Sequence, residues 1–213
     1  MSFSSVTKNE LSRIPLENRC CAIAELAALV RMNGFIQISG NKKVNLKFST
    51  ENAAIARRTF SLLKKLYKID IDVMVRKNKQ LKKNNNYLIA VGSTRDTKKI
   101  LNDVGLIIGD SSDFFKINYK IPSKIIKKRC CRRAYIRGAF LGGGSISNPE
   151  KTYHLEFVTN SQQHSEELCN LINSFGLNSK IVIIKESYVI YLKEGEQIVD
   201  LLNIIEAHVA LLK

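Results

Sequence analysis

The feature that most constrains this chain is an internal repeat with a period of 110 residues. Arg19-Cys20-Cys21 precedes an apolar stretch ending LAALVRMNG, Leu26 to Gly34, and Arg129-Cys130-Cys131 precedes a similar stretch ending IRGAFLGGG, Ile136 to Gly144. A duplication of that length inside 213 residues leaves room for two halves and a connection. Whatever the first half builds, the second must build again.

The segments after each nonamer agree in kind. Phe35–Ser39 and Val44–Ser49, around a Gly-Asn-Lys turn, read as a β-hairpin. Glu51–Tyr67 reads as an amphipathic helix with Ile55, Thr59, Leu62, Leu63 and Leu66 on one side. Ile69–Val75 and Tyr87–Val91 are predicted strands joined by the polar stretch RKNKQLKKNNN, and Thr94–Val104 is a helix stopped at Gly105. The second half repeats the order with strands at Ser145–Ser147 and Tyr153–Thr159 and a helix at Ser161–Phe175 stopped by Gly176. A hairpin at Lys180–Ile184 and Tyr188–Leu192 and a helix at Gly195–Ala207 complete it. The expected architecture is α+β: two pseudo-two-fold related αββαββα halves, 1–106 and 124–213, with an irregular linker at 107–123 that carries Pro122.

Charge bears on what such a chain meets. Lys and Arg number 34 against 19 Asp and Glu, a formal net charge of +15, which favours an anionic partner, most often nucleic acid. The excess is uneven: residues 1–123 hold 22 cations against 10 acids, and residues 124–213 hold 12 against 9. No run of about 18 apolar residues suggests a membrane span. The polar start MSFSSVTKNELSRI lacks the apolar core of a secretory signal, so a cytoplasmic, nucleoid-associated protein is expected. Five cysteines without a signal peptide argue against a disulfide framework.

The doubled αββαββα order, with a nonamer ending the first helix of each half, resembles the LAGLIDADG homing-endonuclease fold. The stretches CCAIAELAALVRMNG, TENAAIARR, LKKNN, KKRCCRRAYIRGAFLGGGSISNPE, YHLEF and FGLNSK resemble more narrowly the WhiA family of bacterial sporulation and cell-division regulators. The family's C-terminal helix-turn-helix domain has no counterpart before the chain stops at HVALLK, so a fragment is expected. The resemblance implies that the two nonamer helices pack together at the centre. Small residues Ala27, Ala28, Gly138 and Ala139 would allow close approach, and Gly34 and Gly144 would give left-handed exits.

Active members of that fold hold divalent cations with an acid at the eighth position of each nonamer, where the metal activates water and stabilises the leaving oxygen. Here those positions are Asn33 and Gly143, and Arg31 lies two residues before the first. The expectation is a non-enzymatic regulator whose partner is double-stranded DNA or another regulatory protein, with no cofactor, metal or membrane assigned. The resemblance implies a saddle of two curved sheets over the major groove. The candidate DNA-binding cations are Lys42, Lys43, Lys47, Arg76, Lys77, Lys79, Lys82 and Lys83 in the first half, and Lys151, Lys180, Lys185 and Lys193 in the second. His154, His164 and His208 lack zinc-ligand spacing, and Cys169 reads as a small buried side chain. The repeat should bring the cysteine pairs near each other, either as reduced thiols packed at helix starts or as a redox or metal site of up to four thiolates. The cations of KKRCCRR, placed against the helix dipole, hint at a use for that end.

Overall fold

Two helices of 15 residues run through the middle of the molecule, α2 (Arg19–Asn33) and α5 (Arg129–Gly143). Each passes straight into the first strand of a four-stranded antiparallel sheet. The computed structural model describes residues 1–77, 84–108 and 116–212. The first sheet comprises β1 (Gly34–Ser39), β2 (Lys43–Thr50), β3 (Ile71–Lys77) and β4 (Asn85–Val91), in the order β1-β2-β4-β3. The second comprises β5 (Gly144–Ile146), β6 (Leu155–Thr159), β7 (Lys180–Ile184) and β8 (Ser187–Leu192), in the order β5-β6-β8-β7. Helices α3 (Ala53–Tyr67) and α4 (Thr94–Asp103) back the first sheet, and α6 (Gln162–Asn173) occupies the equivalent place behind the second. Helix α7 (Gly195–Ile204) closes the second half. Matching strand orders are the structural counterpart of the sequence repeat.

Local chemistry explains the boundaries. Asn52 caps α3 by accepting from the Ala54 and Ile55 amides, and its buried stripe is Ile55, Thr59, Leu62, Leu63 and Leu66, as the spacing predicts. Ser93 and Ser161 cap α4 and α6 in the same way. Gly105 and Gly176 sit at φ +71° and +82°, past the last turns of α4 and α6, where a side chain would be strained. The β1–β2 turn puts Asn41 and Lys42 at φ 63° and 60°, the paired left-handed residues of a tight hairpin.

Close approach of α2 and α5 depends on small residues. Ala27, Ala28 and Ala139 are fully buried, and a Cβ on Gly138 would lie 2.4 Å from the Glu25 carbonyl oxygen. No larger side chain fits without separating the helices.

Three features differ from the sequence reading. An extra helix, α1 (Phe3–Leu11), precedes the repeat. Ser2 caps it, Thr7 and Leu11 are buried, and it packs on α3 and α5. Glu10 of α1 accepts from the Val209 and Ala210 amides, fastening the N-terminal helix to the C-terminal end. Gly34 and Gly144 do not take left-handed exits; both are extended, at φ −83° and −89°. Glycine is required there because the chain folds back against its own helix: an added Cβ would meet the Val30 carbonyl oxygen at 2.6 Å or the Phe140 ring at 2.4 Å. The central helices are also less uniformly apolar than they read, since Glu25, Arg31 and Arg137 are buried within them.

Candidate nucleic-acid interface

Strand register decides which side chains share a face, because directly opposed residues of an antiparallel pair project to the same side. In the first sheet Val44, Leu46 and Phe48 point to the core. Lys43 and Lys47 therefore point away, opposite Ser39 and Phe35 of β1. Lys47 also opposes Ala90, and Arg76 opposes Asn86 four residues away along β4, so Arg76 joins the same outward face. The expected cations Lys43, Lys47 and Arg76 thus converge on one surface with Gln37, Asn45, Ser49 and Asn86. Lys43 and Arg76 are exposed and Lys47 half-buried. Ser49 donates to the Asn86 side chain at 3.0 Å, fixing neighbouring polar groups on β2 and β4. Asp72 is the acid on this face, opposite Ala90. Lys42 lies in the β1–β2 turn and Lys77 at the end of β3 on the other face. Lys79, Lys82 and Lys83 lie outside the described residues.

The second face is different. Register places Lys180 on it, opposite Tyr191, together with Val182, Ile184, Val158 and Glu156. Lys151 is on the β5–β6 connection, Lys185 in the β7–β8 turn at φ 56°, and Lys193 just past β8 with its Nζ 5.2 Å over the Tyr191 ring. Of the four candidate cations of the second half, Lys180 lies on the face itself and the others at its margins. Glu156 is an acid that the nonamer-centred reading passed over. It opposes Ser145 and bonds His154 at 2.9 Å. Its counterpart in the first half is Lys47, since each opposes the residue that follows the nonamer glycine. The repeat thus sets opposite charges at equivalent places, and symmetry builds no pair of acids there. His154 is a half-exposed surface residue stacked on Tyr191.

Where the two helices end, Asn33 brings a buried side-chain oxygen with no hydrogen-bond partner among the described residues, and Gly143 brings hydrogen. There is no room for more: a Cβ on Gly143 would fall 2.4 Å from Met32 Cε and 2.9 Å from the Val158 carbonyl oxygen. Arg31 is not a lone cation beside this junction. Its Nη1 donates to the Ala27 carbonyl, and its Nη2 to those of Asn118 (3.5 Å) and Lys120 (3.0 Å), pinning the linker to α2.

Buried ionic groups absent from the sequence reading join the halves. Glu25 of α2 receives Arg58 of α3 through two bonds of 2.7 and 3.0 Å, and Arg137 of α5 at 2.8 Å. Arg137 reaches on to Glu206 at 2.6 Å, and Arg58 Nη1 donates to the Ser12 and Ile14 carbonyls. Tyr135 and His164, both buried, share a 2.7 Å hydrogen bond, and burial depresses the His164 pKa to about 3. Cys169 is half-buried with its sulfur 3.3 Å from Ser179 Oγ, so it is more polar in its contacts than a simple apolar filler. At the opposite end of the central helices the four paired cysteines do come together, their sulfurs all within 4.8 Å of one another. Among the described residues no helix is long and apolar enough to cross a membrane.

Comparison with known proteins fits this geometry. A family model for the WhiA N-terminal LAGLIDADG-like domain matches residues 19–107, and one for the WhiA LAGLIDADG-like domain matches residues 132–213. The chain belongs to the WhiA family. Probable cell division protein WhiA of Alkaliphilus metalliredigens is 57% identical over 100% of the chain and 67% of its own length. That of Clostridium botulinum strain Hall is 54% identical over the same shares. In solved structures, the fold matches the N-terminal LAGLIDADG domain of DUF199/WhiA with a TM-score of 0.71 at 23% identity, covering 96% of this chain and 90% of that one. Full-length DUF199/WhiA from Thermatoga maritima matches at 0.72 and 21% identity, over 100% and 66%. The homing endonuclease I-DmoI, solved in complex with DNA and Mn, matches at 0.60 and 13% identity, over 88% and 97%. Two family-like halves in the LAGLIDADG architecture are thereby established.

Proposed function

We propose that this chain is a non-catalytic DNA-binding domain of a bacterial transcription regulator acting in cell division and sporulation, working in the cytoplasm at the nucleoid. The observation that carries the reading is the outward face of the first sheet, where Lys43, Lys47 and Arg76 share one surface with amide and hydroxyl side chains. A ribbon of that composition can contact phosphates with its cations and base edges with Asn and Gln. The fold neighbour I-DmoI supports the choice of partner, since it was solved with DNA, and the relatives' names support the role in cell division. The missing carboxylates at positions 33 and 143 support a regulator over a nuclease. Lys42 and Lys77, the lysines at 79, 82 and 83, and the second-half set Lys151, Lys180, Lys185 and Lys193 extend the proposed contact surface. The first half, with most of the excess charge, carries the larger share.

A protein-interaction role is favoured by the apolar edge of the second sheet. Val182, Ile183 and Ile184 of β7 are 40%, 66% and 51% exposed in a row on an edge strand, a place where another chain can pair. Electrophoretic mobility of duplex DNA with this chain separates the two readings. Retardation at low salt that weakens at high salt supports DNA binding. Unchanged mobility at low salt overturns it in favour of the protein-partner reading.

A further inference from the structure

We propose that Cys20, Cys21, Cys130 and Cys131 form a tetrahedral site for one zinc ion, joining the N-terminal ends of the two central helices. The sulfurs lie within 4.8 Å of one another, and Cys130 Sγ and Cys131 Sγ are 4.0 Å apart. Four thiolates at about 2.3 Å from one ion are separated by about 3.8 Å along each edge of the tetrahedron. The cluster therefore needs only a small contraction to close around a single ion. It brings no imidazole or carboxylate, and an all-thiolate tetrahedral set selects zinc over the harder magnesium or calcium. Two ligands come from each half, so the site exists only when the halves are docked.

The charge around the cluster suits a thiolate-bound ion. Both helices begin here, and neither N-cap residue, Asn18 or Lys128, makes a side-chain capping bond, so first-turn amides face the sulfurs' end of the pair without a side-chain acceptor. Cations at a helix N-terminus oppose its dipole, yet Arg19, Lys127, Lys128, Arg129, Arg132 and Arg133 gather at these two. A zinc ion held by four thiolates carries a net charge of about −2, which both the dipoles and the cations favour. On binding, four Sγ–H protons leave to solvent and four sulfur–zinc bonds form, with no change in oxidation state. Cys130 is exposed, which gives the ion an entry path. The site lies at the far end of helices about 20 Å long from the sheets, so it acts on how the halves are held and not on the proposed DNA surface.

The protein purified under reducing conditions should contain about one zinc per chain by elemental mass spectrometry, since one ion occupies the four sulfurs. Replacing zinc with cobalt should give the intense visible bands of a tetrahedral thiolate complex. Alkylation of the native protein should label Cys169 and spare the other four until a chelator is added, and chelation should lower the melting temperature. Cys130→Ser, at the exposed ligand, should lose the cobalt bands while keeping the far-ultraviolet spectrum of the fold, and Cys20→Ser should do the same. Cys169→Ser should keep both metal and bands. Four freely alkylated thiols without metal, two disulfides in the reduced preparation, or full zinc retention in both Cys130→Ser and Cys20→Ser would each overturn the proposal.

Discussion

Replacing Glu25 by Gln should be among the most damaging near-isosteric changes in this protein. The carboxylate is 1% exposed and accepts three bonds from Arg58 and Arg137, which are themselves 4% and 8% exposed. The amide keeps the volume but removes the charge, and its NH2 faces a guanidinium. Arg137 keeps Glu206, while Arg58 keeps, among the described residues, the carbonyls of Ser12 and Ile14. Breaking a buried pair from one side costs about 3–5 kcal/mol, because a desolvated cation is left without its partner. For a chain of this size each kcal/mol lowers Tm by roughly 2–4 °C, so a fall of roughly 10 °C is expected. Glu206→Gln supplies the contrast. It also removes a carboxylate from Arg137, but Glu206 is 38% exposed, and a solvated pair contributes below about 1 kcal/mol. Urea denaturation and calorimetry of both variants measure the difference. Equal losses for the two would refute the reasoning that burial of Glu25 sets the cost.

Other expectations follow from the same packing. Gly138→Ala should destabilise by about 1–3 kcal/mol by overpacking despite the helix-propensity gain of about 1 kcal/mol, because the new Cβ meets the Glu25 carbonyl oxygen at 2.4 Å; denaturant midpoints compared with Gly40→Ala, where nothing lies within 4 Å, check it. His164 has a folded pKa of about 3 against 6.5 for the free side chain, so only the unfolded state takes up its proton between those values. Its contribution is present above about pH 6.5 and is lost as pH falls toward 3, at up to about 1.4 kcal/mol per unit. Unfolding free energies over that range should fall more steeply for the wild type than for His164→Asn, and parallel profiles would count against the assignment. Supercoiled plasmid should stay intact with magnesium or manganese, and Asn33→Asp with Gly143→Asp should not produce cutting. An Asp at 143 has its Cβ 2.4 Å from Met32 Cε and 2.9 Å from a backbone oxygen, so it cannot settle in a ligating position without displacement. Chelator-sensitive nicking that scales with protein would contradict this.

The repeat makes the topology legible in the chain itself, because two runs of the same signals reinforce one another. Gly105 and Gly176 read as helix stops because glycine takes their left-handed φ without strain, whereas the caps Asn52 and Ser93 show only in the structure. Convergence of the cysteine pairs also follows from pseudo-symmetry, since equivalent starts of two packed helices must meet. The buried ion network is not legible. Glu25 finds Arg58 and Arg137 at separations of 33 and 112 residues, and the apolar neighbours that mark it as buried do not name those partners. Helix α1 hides for a related reason: its polar residues outnumber its apolar ones, and Thr7 is buried only because α3 and α5 receive it. Arg31 reads as a cation two residues before Asn33, yet the linker carbonyls that hold it come from 87 and 89 residues away. At the interface, a set of lysines becomes a surface only through strand register, which joins Lys43, Lys47 and Arg76 and sets Lys77 on the other side.

The most direct test of the DNA-binding claim is the salt dependence of affinity for one duplex, measured by fluorescence anisotropy over a series of salt concentrations. The wild type is compared with Lys43→Gln/Lys47→Gln/Arg76→Gln and with Lys151→Gln/Lys185→Gln/Lys193→Gln. Log affinity should fall linearly with log salt, and each lost phosphate contact should reduce the slope by about 1. The first triple variant should lower the slope by about 3 if each cation meets a phosphate, and the second by less than about 1. Equal slopes for all three proteins, or an affinity indifferent to salt, would contradict the first-sheet face as the DNA-binding surface.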